Sequence, residues 1–466
     1  MSTDHMSTHD TRRRMALYVL CVGMLMIVLD ITVVNVALPS IKSDLRFSQA
    51  GLAWVVNAYM IAYGGLLLLA GRMGDLFGRR RIFLIGIGIF TIASALCGAA
   101  PSRELLVSAR FLQGVGGALS SAVILGMIVR LFPEPREQAK AIGVYGFVAS
   151  GGGTVGLVAG GIITQLVSWH WVFLVNIPIG IATAVLAMRL IEDDPGLGIA
   201  DGADYLGAVL VTSALMLGVY TIVSAHSWLL GVVAALLLVL FILREHKAAR
   251  PLMPLRLFRS PALSGANAIQ MLSAAGMFGM FFLGALYLQE AKGYDALQIG
   301  LAFIPGTFLM SIVSLRYSDR IAHRLGARRT VALGLAAIVV AMLVFTQVGA
   351  TTPWAAGVLP AMVLLGLGAG ACFPALMMSA MSSTGPEDSG LASGLVNTTA
   401  QCGAALGLAV IATSAAAQRE MMRGFHVGFW IAAAFLAASV VIALLALPRK
   451  TSEVEESLVR EPALAG

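Results

Sequence analysis

Charged side chains are scarce in this chain of 466 residues, of which 12% are Asp, Glu, Lys or Arg and 58% are hydrophobic. In a soluble protein about a quarter of the residues are usually charged, so a soluble enzyme or a nucleic-acid-binding protein fits this composition poorly. The few charges fall in short clusters, and apolar runs of about twenty residues, enough to cross a bilayer, separate them. We therefore predict a polytopic membrane protein.

Cysteine is rarer still, with four residues that all lie in apolar runs and form no CxxC pair. This usage supports neither a secreted disulfide framework nor a zinc site. The sequence also lacks a GxxxxGK[ST] phosphate-binding loop, an HExxH motif and a serine hydrolase arrangement. We therefore expect no enzyme activity, no cofactor, no bound metal and no nucleic-acid partner.

Fourteen apolar segments predict an all-α protein with 14 transmembrane helices. The segments lie at 16–38, 51–70, 82–100, 104–131, 138–165, 170–190, 204–224, 227–243, 261–289, 297–315, 329–349, 354–380, 390–417 and 426–447.

The basic residues predict the orientation of these spans. With an even number of spans both termini lie on one side, and 24 of the 31 basic residues fall in the tails and loops of that side. Basic loops are retained in the cytoplasm, which also accounts for the net charge of +7. We expect a multi-pass protein of a bacterial cell (inner) membrane with both termini in the cytoplasm.

Two loops divide the chain. An acidic loop at 191–204 and a basic, proline-rich loop at 244–261 bracket a two-helix hairpin at 204–243, which leaves six spans on each side. Paired six-helix halves are typical of transporters that alternate access to a central site. The predicted regions are a cytoplasmic tail at 1–15, a six-helix bundle at 16–190, a linker with the hairpin at 191–260, a second six-helix bundle at 261–447 and a cytoplasmic tail at 448–466.

The loop after the second span reads GRMGDLFGRRR and contains Gly71, Asp75, Gly78, Arg79 and Arg80. Its glycines permit a tight turn, and its aspartate can accept hydrogen bonds from arginines or from a helix N-terminus. We interpret this pattern as a cytoplasmic latch between helices, with an ordinary positive-inside loop as the alternative.

Asp30 and Arg110 are the two charged residues predicted well inside spans. Such residues are costly to bury and mark functional sites by default. At 1.5 Å per residue, Asp30 lies about 20 Å from the cytoplasmic edge and Arg110 about 9 Å from the outer edge. The two residues thus lie at nearly the same depth, where they can pair. A static structural ion pair is the alternative to a functional one.

The fifth span contains SGGGTVGLVAGG. A GxGxxG reading is rejected, because a dinucleotide site needs a preceding strand. Gly152, Gly156 and Gly160 are spaced four apart on one helix face, followed by Gly161, and such a ladder lets two helices pack closely.

Uncharged polar residues within spans are candidates for a substrate cavity, although interhelical hydrogen bonds explain each of them equally well. The uncharged polar residues within spans include Tyr59 and Asn176, and the candidates for the cavity are Asn35, Asn57, Gln113, Asn267, Gln270, Asn397 and Gln401.

Several of these motifs resemble one known family. The loop at 71–81, LDITVVNVALP at 29–39, WHWVFLVNIPIG at 169–180 and the fourteen spans are together similar to the major facilitator superfamily, in its fourteen-helix drug:proton antiporter branch. The resemblance implies two six-helix bundles with a two-helix central insertion, functioning as a monomer. It also implies export of small amphipathic drugs or antibiotics in exchange for protons, with lipid, protons and substrate as the partners.

The resemblance also implies roles for individual residues. Asp30 corresponds to the proton-coupling acid and Arg110 to its partner, while the glycines ending in Gly160 and Gly161 correspond to the antiporter motif. Leu157 stands where that motif usually has proline. The second-half loop DRIAHRLGARR, at 319–329, also departs from the pattern, with Asp319 and His323 in place of the first loop's glycine and aspartate.

Two alternatives remain at this point. A nutrient or metabolite permease of the same superfamily differs in the direction of coupling, which the motifs do not fix. An integral-membrane enzyme or a channel is disfavoured, because the sequence has no polar catalytic cluster and carries its own two halves. The identity and charge of the substrate stay open.

Overall fold

A computed structural model describes residues 3–193, 196, 204–224, 228–248, 251–252, 255–382 and 389–448 of the chain. Residues 1–2 and nearly all of the predicted tail at 448–466 lie outside the described residues. Within them the chain is helical, with no strand.

The first half contains seven helices. They are α1 (Thr3–Asp44), α2 (Gln49–Phe77), α3 (Arg79–Gly98), α4 (Arg103–Leu131), α5 (Pro135–Leu166), α6 (His170–Leu174) and α7 (Asn176–Leu190). The hairpin and the second half then follow. They are α8 (Tyr205–Ser224), α9 (Trp228–Lys247), α10 (Pro261–Glu290), α11 (Ala296–Ile312), α12 (Ser318–Leu325), α13 (Ala327–Phe345), α14 (Trp354–Ser382), α15 (Ser389–Ala416) and α16 (Met421–Ala446).

Thirteen of the described helical segments are long and apolar enough to cross a membrane. The predicted fifth span corresponds to α5, whose described apolar part, Val155–Leu166, is shorter. The predicted sixth span is divided into α6 and α7, which together run through His170–Leu190. Pro178 explains this division, because proline has no N–H to donate to the carbonyl of Leu174 one turn earlier. The all-helical membrane fold predicted from the apolar runs is confirmed.

Short polar residues fix where several helices begin. The Ser48, Ser102 and Ser260 hydroxyls accept the backbone N–H three residues on, at the starts of α2, α4 and α10. Asp295 forms a capping box with Gln298 at the start of α11. These side chains satisfy N–H groups that have no partner within the first turn of a helix, so they set the register of each span.

The two halves repeat one packing pattern. In the first half α1 packs against α5, and α4 packs against α2 and α3; in the second, α10 packs against α15, and α14 against α11 and α13. The halves meet where α2 contacts α15 and where α5 contacts α11. Two similar bundles joined along two pairs of helices can rock against each other, which is the geometry of alternating access.

The hairpin of α8 and α9 lies beside one of these contacts between the halves. Helix α8 packs against α9 and against both α2 and α15. An added Cβ at Gly65 of α2 would lie 2.6 Å from the Thr212 hydroxyl of α8, so the two backbones approach closely. The hairpin therefore borders the seam between α2 and α15.

Large apolar side chains are exposed on the outside of the helices. Trp228 of α9 is 80% exposed, Leu445 of α16 is 79% exposed and Leu166 of α5 is 75% exposed. In water this surface would be unstable, but in a bilayer it contacts acyl chains. The outer surface is therefore suited to lipid, as the lack of charge indicates.

The base of the hairpin contains a buried acidic pair that sequence reasoning missed. Asp204 and Glu245 are only 5% and 3% exposed, whereas the sequence places Asp204 at the boundary between the acidic loop and the hairpin, and Glu245 in the basic loop. Asp204 accepts the backbone N–H of Gly207 and pairs with Arg244 at 3.2 Å. The predicted start of the hairpin at 204 agrees with α8, whereas its predicted end at 243 is too early, because α9 continues to Lys247.

Candidate functional site

The centre of the first half contains a fully buried ion pair between α1 and α4. Arg110 donates from Nη1 to Asp30 Oδ2 at 2.5 Å, and each residue is 1% exposed. Arg110 also donates from Nε to the backbone carbonyl of Val55 on α2, at 2.9 Å. The two charges that the sequence places at one depth are thus in direct contact, while their functional role remains a prediction.

Three further polar side chains complete the surroundings of Asp30. Gln113 donates from Nε2 to Asp30 Oδ1 at 2.7 Å and accepts from Arg110 Nη1 at 2.7 Å. Its Nε2 also donates to Ser94 at 2.9 Å, and Asn176 of α7 donates to Asp30 Oδ1 at 3.3 Å. Arg110 and Gln113 are three residues apart, so α4 presents both on one face. We call Asp30, Arg110, Gln113, Ser94 and Asn176 the Asp30 cluster.

Sequence reasoning found this cluster only in part. Gln113 and Asn176 were among the uncharged polar residues considered for a cavity, whereas Ser94 was not proposed as a site residue. Asn176 carried a signal, because it lies in the motif at 169–180. Ser94 carried none, since a single serine in an apolar helix looks like any other small polar residue.

Aromatic rings cover the arginine of the cluster. The ring of Tyr59 lies 4.4 Å from Arg110 Cζ and that of Phe173 lies 5.7 Å from it. Tyr59 is itself fully buried and stacks on Tyr63. Ring faces attract a cation, most strongly where water is excluded. The cluster thus holds a carboxylate and a guanidinium in a dry site, where each depends on the other for charge compensation.

The GRMGDLFGRRR segment, predicted as a loop, lies mostly in helices, since α2 continues to Phe77 and α3 begins at Arg79. It links four helices. Asp75 pairs with Arg79 at 3.0 Å, and Arg79 donates to the carbonyl of Gly126 on α4 at 3.1 Å. Arg80 donates to the carbonyl of Met188 on α7 at 2.5 Å. Gly78 has a φ of 94°, a conformation that L side chains rarely adopt. The segment therefore ties α2 and α3 to α4 and α7, whereas Gly71 has open space at its Cβ position.

The equivalent loop of the second half keeps the turn but changes the side chains. Gly326 has a φ of 79°, matching the turn at Gly78. His323, at the position equivalent to Asp75, is exposed on the surface of the protein. The side chain of Asp319 lies outside the described residues.

The glycines of α5 allow two close helix contacts. A Cβ added at Gly156 would lie 2.0 Å from the Thr32 hydroxyl, and one added at Gly160 would lie 3.0 Å from the Val33 backbone. Gly152 similarly faces Leu25 and Val28, so the three glycines form the face of α5 that packs on α1.

Gly161 points the other way, toward the second half. An added Cβ there would lie 2.9 Å from the carbonyl oxygen of Ala296 on α11. Nearby, one at Gly300 of α11 would lie 2.5 Å from the carbonyl oxygen of Leu157. Leu157, which replaces the usual proline, therefore lies in the contact between α5 and α11.

The other predicted cavity residues do not reach the Asp30 cluster through any described hydrogen bond. Asn35 donates to Ile31 one turn earlier, at 3.0 Å. Asn267 accepts from Thr399 of α15 at 2.9 Å, an interhelical hydrogen bond that matches the alternative interpretation.

The remaining four differ in exposure. Gln270 is half-buried and Asn397 is exposed, while Gln401 packs against Gly64 at the contact between α2 and α15. Asn57 is fully buried, and its amide finds no hydrogen-bond partner among the described residues.

An ion pair between the halves was not predicted. Lys42 at the end of α1 contacts Glu290 at the end of α10, and both side chains are 24% exposed. Both residues are visible in the sequence as charges in loops on one side, but only the packing of α1 beside α10 brings them together. Together with the contact of Gly161 with α11, this pair joins the halves at one end of the molecule.

Comparison with known proteins identifies the family. The family model described as "Major Facilitator Superfamily" matches residues 20–408. The chain is 36% identical to a puromycin resistance protein of Streptomyces alboniger, covering 96% of this chain and 94% of the relative. It is 37% identical to a cephamycin export protein of Amycolatopsis lactamdurans, covering 85% and 84%.

Solved structures agree on the fold. A bacterial homologue of the human lysosomal transporter Spinster, in an inward-facing conformation, has a TM-score of 0.66 at 15% identity, covering 93% of this chain and 97% of the other. The human organic anion transporter TETRAN has a TM-score of 0.64 at 16% identity, covering 92% and 99%. These findings confirm the resemblance seen in the motifs: this chain belongs to the major facilitator superfamily.

Proposed function

We propose that this protein exports small amphipathic compounds of the antibiotic or drug class in exchange for protons, by alternating access. The relatives at 36% and 37% identity are named for puromycin resistance and cephamycin export. The sequence contains no GxxxxGK[ST] phosphate-binding loop, and we propose a proton gradient as the energy source. The buried pair of Asp30 and Arg110 is the single observation that carries the coupling to protons.

The chemistry of the pair supports this role. In the conformation described, both carboxylate oxygens of Asp30 accept N–H donors, so the contacts suit its ionised form. A proton on Asp30 would leave Arg110 buried without a counter-charge, which is costly in a dry site. Protonation therefore favours a rearrangement of α1 relative to α4.

Helix α1 can pass such a rearrangement to the contact between the halves. It packs against α5 in its own half and against α10 and α11 in the other. Its last turn also contains Lys42, which pairs with Glu290. A shift of α1 that follows protonation of Asp30 would thus strain the contacts that close one end of the molecule. From the distribution of basic residues, we propose that this end is extracellular and that both termini are cytoplasmic.

The test uses purified protein in proteoliposomes with an imposed proton gradient. Asp30→Asn should abolish uphill movement of a transported antibiotic such as puromycin while leaving downhill exchange measurable, because asparagine cannot carry the proton. Glu420→Gln, an exposed carboxylate at the start of α16, is the matched control and should retain coupling.

The sign of the coupling separates the alternatives. Movement of the compound against the proton flow indicates an exporter, whereas movement with it indicates a permease that works as a symporter. Coupled transport by Asp30→Asn at the wild-type rate would contradict the role of Asp30.

A further inference from the structure

Two adjoining cavities lie outside the Asp30 cluster, on the membrane-facing side of the first half. The first is a groove of about 530 Å³ between α1 and α7. Its walls are apolar and include Tyr18 and Val22 of α1, which are 60% and 40% exposed, and Leu186 of α7, which is 41% exposed. The groove therefore opens where the acyl chains of one leaflet lie.

The second cavity is a basic cleft of about 290 Å³ at the end of the same groove. Its wall contains five arginines and one acid, Glu192, while Leu190 lines both cavities. The arginines are Arg12, Arg13, Arg79, Arg80 and Arg130. Positive charge is thus concentrated where the apolar groove ends.

We propose that the groove and the cleft together bind one anionic phospholipid of the adjacent leaflet, with its phosphate in the cleft and an acyl chain in the groove. This site is separate from the proposed transport function and does not depend on it. Between Arg12 and Val22 the helix rises about 15 Å, half of the roughly 30 Å core. The spacing of the two cavities therefore matches a lipid of one leaflet.

The charges favour an anionic headgroup over a zwitterionic one. Most of these arginines already have acidic partners: Arg12 lies 3.8 Å from Glu192, Arg13 contacts Glu137 at 2.9 Å, Arg79 pairs with Asp75 at 3.0 Å and Arg80 lies 3.9 Å from Asp193. A guanidinium has five N–H donors, and in Arg80 the contacts with Asp193 and with the carbonyl of Met188 use only part of them. Nε of Arg80 is buried and has no partner among the described residues. An anionic phosphate can accept the remaining donors, whereas the ammonium of phosphatidylcholine would be repelled.

The test is native mass spectrometry of the full chain in detergent, titrated with phosphatidylglycerol and with phosphatidylcholine of identical acyl chains. We expect phosphatidylglycerol to bind at least tenfold more tightly. Arg12→Gln and Arg80→Gln should each weaken it by about fivefold. Arg320→Gln, which removes an exposed arginine of α12, is the control and should change nothing.

A second pair of variants tests the groove. Ala182→Trp fills the groove from α7 and should weaken phosphatidylglycerol binding at least tenfold, while Ala235→Trp, on the exposed face of α9, should not. Every variant must first elute as one monodisperse species, and Ala182→Leu replaces Ala182→Trp if the tryptophan prevents folding. Glycerol 3-phosphate, which has the headgroup chemistry without acyl chains, should bind at least a hundredfold more weakly than the lipid.

Four results would overturn the proposal. Equal binding of the two lipids would contradict the anionic preference. An unchanged phosphatidylglycerol affinity in the Arg12→Gln/Arg80→Gln double variant would exclude the cleft as the headgroup site, and equal affinity in Ala182→Trp and Ala235→Trp would exclude the groove as the acyl-chain site. Binding of glycerol 3-phosphate as tight as that of the lipid would indicate a site for free phosphates instead.

Discussion

At the scale of single residues, the decisive feature is that the two charges buried at the centre of the first half are paired with each other and bonded to neighbouring amides. Asp30 and Arg110 are each 1% exposed, and the amide of Gln113 bonds to both of them and to Ser94. A buried charge without a partner is expensive, so these residues constrain one another. The depth of the two charges was predictable from helix length, whereas the donors around them were not.

Gln113 is predicted to position the ion pair. Gln113→Leu removes one donor to Asp30 and one acceptor for Arg110, and should cost about 1–3 kcal/mol of stability because charged groups lose hydrogen bonds. We expect the pH dependence of coupled transport to shift in this variant, which a purely structural role would not produce. Transport across a series of pH values in proteoliposomes measures it.

The control for this variant is Gln347→Leu. Gln347 is exposed and bonds to the neighbouring Thr346, so its loss should leave both stability and the pH profile unchanged. A Gln113→Leu protein whose pH profile matched the wild type would refute the positioning role, even if it were less stable.

At the scale of elements, α1 and α5 approach each other because one face of α5 has no side chains. Four-residue glycine spacing was sufficient to predict a packing face, although not which helix packs there. The partner is α1, since Gly152, Gly156 and Gly160 face Leu25, Thr32 and Val33. Gly161 belongs to a different contact, with α11 of the other half.

Gly156→Ala should destabilise the protein. The added Cβ would lie 2.0 Å from the Thr32 hydroxyl, so Thr32 must change its rotamer or α1 and α5 must move apart, at a cost of about 1–3 kcal/mol for overpacking. Thermal unfolding in detergent measures the loss. Thr32→Ala in the Gly156→Ala background removes the hydroxyl and should restore part of the stability.

Gly88→Ala is the matched control within a helix. Nothing lies within 4 Å of its Cβ position, so the change should stabilise α3 by about 0.5–1 kcal/mol through its helix propensity. A Gly156→Ala protein as stable as Gly88→Ala would contradict the close contact between α1 and α5.

At the scale of the whole molecule, the two halves have similar internal packing and meet along few helices. Contacts of α2 with α15 and of α5 with α11 join them, and the pair of Lys42 and Glu290 adds a polar link at one end. A part-exposed ion pair contributes little to stability. It can therefore form and break as the halves move.

Cross-linking at this end is predicted to stop transport. Cysteines at positions 42 and 290, linked by a reducible bifunctional methanethiosulfonate reagent that spans the length of the replaced side chains, should hold the ends of α1 and α10 together and abolish transport, and reduction should restore it. The four native cysteines are buried or half-buried, so they are replaced first to give a clean background. Transport of a labelled compound before and after reduction measures the effect.

A cross-link inside one half serves as the control. Lys292 donates to the carbonyl of Thr352 within the second half, so cysteines at positions 292 and 352 should cross-link without blocking transport. If transport continued while positions 42 and 290 were cross-linked, this end of the molecule would not open during the cycle.

The sequence by itself determined the membrane environment, the helical spans and the approximate depth of Asp30 and Arg110. These depend on local quantities, namely the length of apolar runs and the rise per residue of a helix. Motif spacing likewise indicated the tight turn at Gly78 and the packing face of α5. Apolar-run length was less reliable near helix ends, where the buried pair of Asp204 and Glu245 was missed.

Only the tertiary structure decided which helices are neighbours. The meeting of Asn176 with Asp30, of Lys42 with Glu290, and of the groove beside Tyr18 with the arginine cleft all depend on residues far apart in the chain. An apolar helix in lipid presents similar surfaces in every direction, because lipid and protein interiors are equally apolar. The choice of neighbour is then made by close packing and by a few polar contacts, which hydrophobic patterning does not encode.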